Sequence, residues 1–461
     1  MSINGIIFRI ELKSETKPDV YMLRTLFTCL LFSIFSTQAA KKPNVIMIMI
    51  DDMGYECFSS YGGESYKTPE TDKLAKEGLK FNYCYSTPIC TTSRVQLMTG
   101  KYNFRNYVEF GYLRNGETTF GHLMQQAGYK TIVAGKWQLN GLYSKEERYE
   151  DPKKVNEFGF DEYCLWQVTL QKKQGGERFW TPLVEQNGKK IKHSEKGKYG
   201  PDIFTDYICD FMTKNKENPF FVYYPMVLVH DPFISTPASD DPKIKGQAAF
   251  ADMMFYCDRM IGKIRKKVEE LGLAENTLIM VTGDNGTHKK LKSTVNGKVI
   301  QGGKAMPTEA GTHVPLIAYS KGVTPAGKAI DDLVDFTDLL PTIIEAGKGT
   351  LPQDQKFDGR SILPQIKGQT GNKRDYIFCH YQPRWGKFDA VSGRWTQTSK
   401  YKLHMDGRFI DLLNDPLEKN PLKTLNEDQK AVKAMLQTGL DKYEKEVPYN
   451  AALNKKGSKR N

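Results

Sequence analysis

The sequence is poor in the residue pairs that would announce a zinc module or a disulfide scaffold. Its 461 residues contain only eight cysteines and seven histidines, and no two cysteines stand as CxxC, which argues against structural zinc. Most of Cys57, Cys84, Cys164, Cys209, Cys257 and Cys379 have apolar neighbours, where cysteine serves as a small core residue, so no bridge is assigned. Long hydrophobic runs are also lacking. The most apolar stretch, Thr25–Phe35, is too short to cross a bilayer, so no stable membrane span is expected; a lipoprotein anchor on Cys29, a weaker reading, and an uncleaved anchor stay open. Following Met22-Leu23-Arg24 and preceding the small residues up to Ala40, it reads as a secretory signal over residues 1–40. Translation is then expected to begin at Met22, and the protein to be secreted or periplasmic. There are no internal repeats and no nucleic-acid-binding module, so no nucleic-acid partner is expected.

What is present is an ordinary globular composition, 39% hydrophobic and 26% charged, with a formal net charge of +12. Four of the positive charges fall in the last eight residues, and 450–461 reads as a disordered basic tail. The remaining excess suits an anionic substrate without identifying one.

Unbroken apolar runs at Pro43–Ile50, Lys130–Gly135, Pro219–Tyr224, Thr277–Thr282 and Val314–Tyr319 read as strands buried on both faces. Helical periodicity appears at Thr71–Leu79, Thr118–Ala127, 249–271 and Asp335–Ala346. The alternation predicts an α/β fold: a large, mostly parallel, doubly wound sheet flanked by helices over residues 41–372. Gly347–Gly371 reads as a link. Beyond it Asp375–Tyr381, Arg394–His404 and Arg408–Leu413 read as short strands and Asp428–Glu444 as a helix, giving a smaller α+β subdomain at 373–449.

The polar residues of interest directly follow the predicted strands, where open α/β sheets place their sites. Asp51-Asp52 and Thr282-Gly-Asp284-Asn285-Gly offer oxygen donors, which Ca²⁺ and Mg²⁺ prefer. Either pair alone would read as a turn or a helix cap. Lys136 and Lys304 each follow a glycine, where backbone can approach an oxyanion closely. Cys90 opens a predicted helix, so it faces the positive end of the dipole. His230 lies after the apolar run Pro225–Val229, and a lone histidine there is as readily structural as catalytic. His380-Tyr381-Gln382-Pro383-Arg384-Trp385 combines an aromatic that can stack on a sugar with an arginine that can grip an anion; a turn with a core tryptophan explains the run equally well.

Taken together, Asp51-Asp52, Cys90-x-x-x-Arg94 with Thr99-Gly100, Gly135-Lys136-Trp137, His230, Thr282-Gly-Asp-Asn-Gly286 and Gly303-Lys304 resemble the type I formylglycine-dependent sulfatases of the alkaline-phosphatase-like superfamily. The likeness extends to Phe409–Glu418, similar to the family's late strand and turn. The resemblance implies that a maturation enzyme oxidises Cys90 to formylglycine, whose hydrate attacks the sulfur of a sulfate ester. It implies a calcium site (magnesium less often) of Asp51, Asp52, Asp284, Asn285 and the oxidised Cys90. Arg94 would hold the hydrate, Lys136 and Lys304 would neutralise the sulfate oxygens, and His230 would protonate the leaving alkoxide. The implied substrate is a sulfated glycan or a small sulfate ester, with Gln138, His380, Arg384 and Trp385 as candidate substrate contacts. The chain departs from the family pattern at Thr92, where Pro or Ala is usual. It departs again at Gln138, where many members have His, and at His313, where Arg is common. Gln138 cannot take a proton, so either another base serves, with His288 the candidate, or sulfate elimination is slower. Two other readings stay open: a phosphate or phosphonate ester hydrolase of the same superfamily, and a non-catalytic glycan-binding relative whose Cys90 stays a thiol.

Overall fold

Residues Asn44–Ile50 (β1) carry one polar side chain, the first, and all seven residues are buried. Such a strand is stable only with helices against both faces, and the computed structural model has that arrangement. It describes residues 41–169, 178–192 and 198–454; the predicted signal segment lies outside them. The strands that follow are β2 (Leu79–Tyr85), β3 (Lys130–Lys136), β4 (Glu162–Trp166), β5 (Leu183–Gln186), β6 (Lys189–Lys192), β7 (Phe220–Pro225) and β8 (Thr277–Gly283). Then come β9 (Lys292–Val295), β10 (Lys298–Gln301), β11 (His313–Tyr319) and β12 (Lys328–Asp335).

Ten of these form one sheet in the order β12-β2-β11-β8-β1-β7-β3-β4-β5-β6. Its centre, β8-β1-β7-β3-β4, is parallel throughout, whereas β11 runs antiparallel between β8 and β2. The side chains of β1 alternate between two cores. Ile46, Ile48 and Ile50 pack with Leu74, Phe204, Ile208, Phe250 and Met253 from three helices, Pro69–Glu77, Gly200–Lys214 and Gly246–Glu270. Val45, Met47 and Met49 pack with Leu97, Met98, Leu123 and Ile343 from the helices Cys90–Thr99, Phe120–Gln126 and Leu339–Ala346. The doubly wound architecture is therefore as predicted.

Several local expectations fail for identifiable reasons. Leu79, expected to close a helix, begins β2, because that helix ends at Glu77 and Gly78. The strands β2, β4–β6 and β12 were not anticipated; β12 is a sheet edge with exposed residues over its first half, so it lacks an apolar run. The helix Gly200–Lys214 was also missed.

The last third forms an antiparallel sheet of β13 (Ile377–Tyr381), β14 (Gly393–Gln397), β15 (Tyr401–His404) and β16 (Phe409–Asp411). The predicted single strand Arg394–His404 is a hairpin, turned where Thr398 N–H donates to the Tyr401 carbonyl (2.8 Å). One face of this sheet packs on the helix Glu427–Glu446 through Phe378, Leu403, Phe409, Leu436, Leu440 and Tyr443. Asn426 and Gln429 close that helix's N-terminus as a capping box. The other face supplies Cys379, Tyr381 and Trp395 to a cluster containing Ile89 and Cys90. Residues 450–454, expected to begin a free tail, are instead held by Gln382, whose Nε2 donates to the Asn450 carbonyl (2.8 Å) and Asn454 Oδ1 (2.7 Å).

Candidate active site

Three parallel strands deliver the site because their C-terminal ends are stitched together by backbone. Asp51 N–H donates to the Leu228 carbonyl and Val229 N–H to the Asp51 carbonyl (both 2.8 Å), while Asp284 N–H donates to the Ile50 carbonyl (2.9 Å). This locks the turns after β1, β7 and β8 together. Gly135, at φ 122°, allows the end of β3 to join them, since a Cβ there would lie 2.0 Å from the Pro225 carbonyl oxygen. Lys136 is thereby placed with its Nζ 2.9 and 2.8 Å from the two oxygens of Asp51.

Around this end the charges interlock. Asp52 N–H donates to Asp284 Oδ1 (3.0 Å), and Asn285 Nδ2 donates to Asp52 Oδ1 (3.0 Å). Lys304 donates to Asp52 Oδ2 and also to His230 Nε2, the latter at 2.9 Å. His230 Nδ1 lies 2.7 Å from the Asp231 carbonyl. That pair of partners fixes a neutral ring with its proton on Nδ1. Arg94, four residues into the Cys90–Thr99 helix and so on the same face as Cys90, reaches Asp284 Oδ2 (3.4 Å) and the Lys136 carbonyl (2.8 Å). Asp52, Gln138, Gln167 and Ala305 hold left-handed φ of 60°, 56°, 62° and 69°, which costs a non-glycine residue about 1 kcal/mol or more.

Ligand atoms of Asp51, Cys90 and Asp284 lie within 4.8 Å of one another, and so do those of Asp51, Asp52 and His230. Burial pushes Asp284 up to about 7, with Asp51 adding to the rise against Arg94 and Lys136. Burial opposes ionisation of Asp51 as well, but the charges of Lys136, Arg94 and Arg178 overcome it and hold Asp51 well below the usual carboxylate range. Asn285 Oδ1 is buried with no partner. Crowded carboxylates with an orphaned amide oxygen form the donor set of a hard divalent cation, so these residues fit one.

Cys90 begins its helix directly after the extended residue Ile89, with no side-chain cap, leaving the first-turn N–H groups available to an anion. Gly100, at φ 63°, ends the helix. Burial, with Asp284 and Asp51, raises the Cys90 thiol despite Lys136 and Lys304. Burial of this kind disfavours the thiolate form. Thr92 is absorbed locally, its hydroxyl donating to the Ile89 carbonyl (2.8 Å). All seven described cysteines are unpaired and buried.

The other candidates divide. Gln138 is bound by Tyr143 and Gln167, its Nε2 lying 2.6 Å from Tyr143 Oη and 3.0 Å from Gln167 Oε1. His288 Nδ1 accepts the Lys290 N–H (3.2 Å), which engages the nitrogen a base would use. His380 points away from the Cys379 and Tyr381 face: its Nδ1 accepts from Arg394 Nε (2.9 Å), its ring lies near Phe104 and Tyr449, and burial then Arg394 take it down to about 3. It packs in the subdomain core and does not face Cys90. Arg384 donates to the Val108 carbonyl (2.7 Å). Trp385 packs against the Cys90 cluster, but Phe110 covers one indole face, with centroids 3.7 Å apart and planes 6° off parallel.

Sequence reasoning missed Arg178, whose NH1 lies 3.4 Å from Asp51 Oδ2 and whose guanidinium stacks over Trp166. No motif marks it. It also missed Glu56, buried and bonded to Thr287, which receives the Gly54 N–H (3.0 Å).

Comparison with known proteins follows the same lines. A family model described as Sulfatase matches residues 43–349, and one described as N-sulphoglucosamine sulphohydrolase, C-terminal, matches 303–446. Human arylsulfatase D is 25% identical, the match covering 83% of this chain and 79% of its own length. The solved structure of Ps i-CgsB in complex with k-i-k-neocarrahexaose superposes with a TM-score of 0.71 at 24% identity, covering 91% of this chain and 94% of the other. A second structure, in complex with its substrate D-glucosamine-2-N,6-O-disulfate, gives 0.70 at 21%, covering 88% and 99%.

Proposed function

Because the chain belongs to the sulfatase family of sulfuric ester hydrolases, we propose that it removes sulfate from a sulfated carbohydrate by way of formylglycine made from Cys90. The observation that carries this reading is the setting of Cys90. It stands at a free helix N-terminus, buried and within 4.8 Å of Asp51 and Asp284 ligand atoms. The carbohydrate class is supported by the neocarrahexaose and the glucosamine disulfate bound in the two structures of like fold. The predicted signal supports export.

Oxidised to the aldehyde and hydrated, Cys90 supplies an oxygen nucleophile that a thiol cannot. One hydrate oxygen bonds to sulfur as the bond from sulfur to the sugar oxygen breaks. The second hydroxyl then gives its proton to His230, left neutral once it has protonated the leaving alkoxide, the carbon–oxygen bond to the sulfate breaks, and inorganic sulfate leaves with the aldehyde restored; water rehydrates it. Asp51, Asp52, Asp284 and the free Asn285 Oδ1 would hold a calcium ion, which would polarise the ester and favour ionisation of the hydrate.

The remaining steps belong to side chains. Arg94, with one buried N–H without a partner, orients the hydrate. Lys136 and Lys304, now tied to Asp51 and Asp52, neutralise charge developing on the sulfate oxygens. Arg178 adds a third cation beside Asp51. The Lys304–His230 pair provides the leaving-group proton: Lys304 already donates to Nε2, and incoming sulfate charge favours the protonated ring.

The reading is tested with protein co-expressed with a maturation enzyme, assayed on 4-nitrophenyl sulfate and a panel of sulfated mono- and disaccharides. Turnover that chelation abolishes and Ca²⁺ restores is expected. Binding of the sugars without any sulfate release would favour the non-catalytic alternative.

A further inference from the structure

Beside the Cys90 pocket stands a side chain that nothing in the motif accounts for. Gln138 and Gln167 follow the ends of the adjacent parallel strands β3 and β4, and the ladder continues past the strands. Trp137 N–H donates to the Trp166 carbonyl and Gln138 N–H to the Gln167 carbonyl, both at 3.0 Å. Both glutamines are left-handed, at φ 56° and 62°, so two strained residues meet at one point. Their side chains clasp each other and converge on one phenol: Gln138 Nε2 is 2.6 Å and Gln167 Nε2 3.1 Å from Tyr143 Oη.

The ring of Tyr143 is fixed as firmly as its hydroxyl. Phe110 lies 5.5 Å away between centroids, and Phe110 belongs to the buried cluster that contains Cys90. Gly111, at φ 82°, makes room for the ring, because a Cβ there would fall 2.5 Å from Tyr143 Cδ2. Yet Tyr143 remains 47% exposed. Tyr143 is thus held at ring and hydroxyl while about half of it stays open to a ligand.

The chemistry of the hydroxyl gives it a direction. A phenol oxygen has two acceptor positions and one proton. With both glutamine amides donating to the oxygen, its own O–H is free to donate outward. We propose that Tyr143, held by the Gln138–Gln167 clamp, is a specificity-determining residue that donates a hydrogen bond to an oxygen of the sugar ring bearing the scissile sulfate. On this account Gln138, standing where a proton-accepting histidine is common in the family, positions Tyr143 and takes no part in proton transfer. The inference rests on the sulfated-carbohydrate reading above.

The test is kinetic and uses the matured full-length enzyme. Tyr143→Phe removes only the hydroxyl. On the best-hydrolysed sulfated sugar of the panel its kcat/KM is expected to fall at least tenfold, mainly through KM, while 4-nitrophenyl sulfate, lacking ring hydroxyls, stays within twofold. Gln138→Ala and Gln167→Ala are expected to shift the same ratio in the same direction. Gln138→Ala added to Tyr143→Phe should change it little further. Equal losses on both substrates, or no loss on the sugar, would overturn the proposal while leaving sulfatase activity intact. Should the wild type hydrolyse neither ester, the functional reading fails by itself. Calorimetric binding of the sulfated sugars then still decides on Tyr143: equal affinity for wild type and Tyr143→Phe overturns its role, and weaker binding by the variant supports it.

Discussion

Two buried charge clusters in this molecule share a composition and differ in completeness. In the C-terminal sheet Glu418 accepts from Lys402, His404 and the Glu309 N–H, each at 2.9 Å, and Lys402 also donates to the Pro307 carbonyl. Neither carboxylate oxygen lacks a partner. At the ends of β1, β3 and β8 there are again carboxylates, lysines and a histidine. There, among the described residues, Asn285 Oδ1 and an Arg94 nitrogen have no partner, and Asp284 is raised to about 7. A closed network holds a fold together, whereas an open one with an excess of donors for a cation waits for a ligand. Lysine, carboxylate and histidine in proximity do not by themselves mark a site; the unmet valence does.

The comparison can be broken from either side. The largest effect is expected at the open cluster. Cys90→Ala should lower turnover of 4-nitrophenyl sulfate by at least about 10³-fold, with the thermal midpoint nearly unchanged. Retained activity would show that the nucleophile lies elsewhere. Glu418→Ala should do the reverse. It strands a buried lysine and should cost about 3–5 kcal/mol in urea unfolding, while kcat per folded molecule stays near wild type. A large loss of kcat in fully folded protein would mean that the two clusters are coupled.

A smaller effect tests the subdomain alone. His380 is buried neutral, its folded value of about 3 lying below the ordinary 6.5 because of burial and Arg394. Below pH 6.5 the unfolded chain therefore binds a proton that the folded one refuses. The stability present above that pH is lost as pH falls toward 3. Between pH 8 and 5 this group alone should remove roughly 2 kcal/mol, and His380→Asn should flatten that slope. An unchanged slope would assign the acid sensitivity to other groups.

Much of this was legible in the sequence because the determining residues are local. The buried strands β1, β3, β7, β8 and β11 announce themselves as apolar runs, and the polar residues just after β1, β3 and β8 fall where a parallel sheet puts its site. The edge strand β12 and the short β4–β6 were not legible, because edge exposure and brevity erase the run. Arg178 and the Gln167–Tyr143 partnership were invisible for another reason. Arg178 meets Asp51, and Gln167 meets Gln138 and Tyr143, only through the packing of segments apart in sequence, and no spacing encodes that. His380 misled in the opposite direction: its neighbours Tyr381 and Trp385 do pack toward Cys90, but strand alternation turns His380 to the other face.

The central claim is that Cys90 is converted, and mass spectrometry of the tryptic peptide Phe81–Arg94 addresses it directly, with fragmentation to separate Cys90 from Cys84. Protein made alongside a formylglycine-generating enzyme should carry the aldehyde at Cys90, and Cys84, buried in the sheet core, should remain a thiol. An unmodified thiol at Cys90 in such protein would remove the nucleophile and contradict the mechanism.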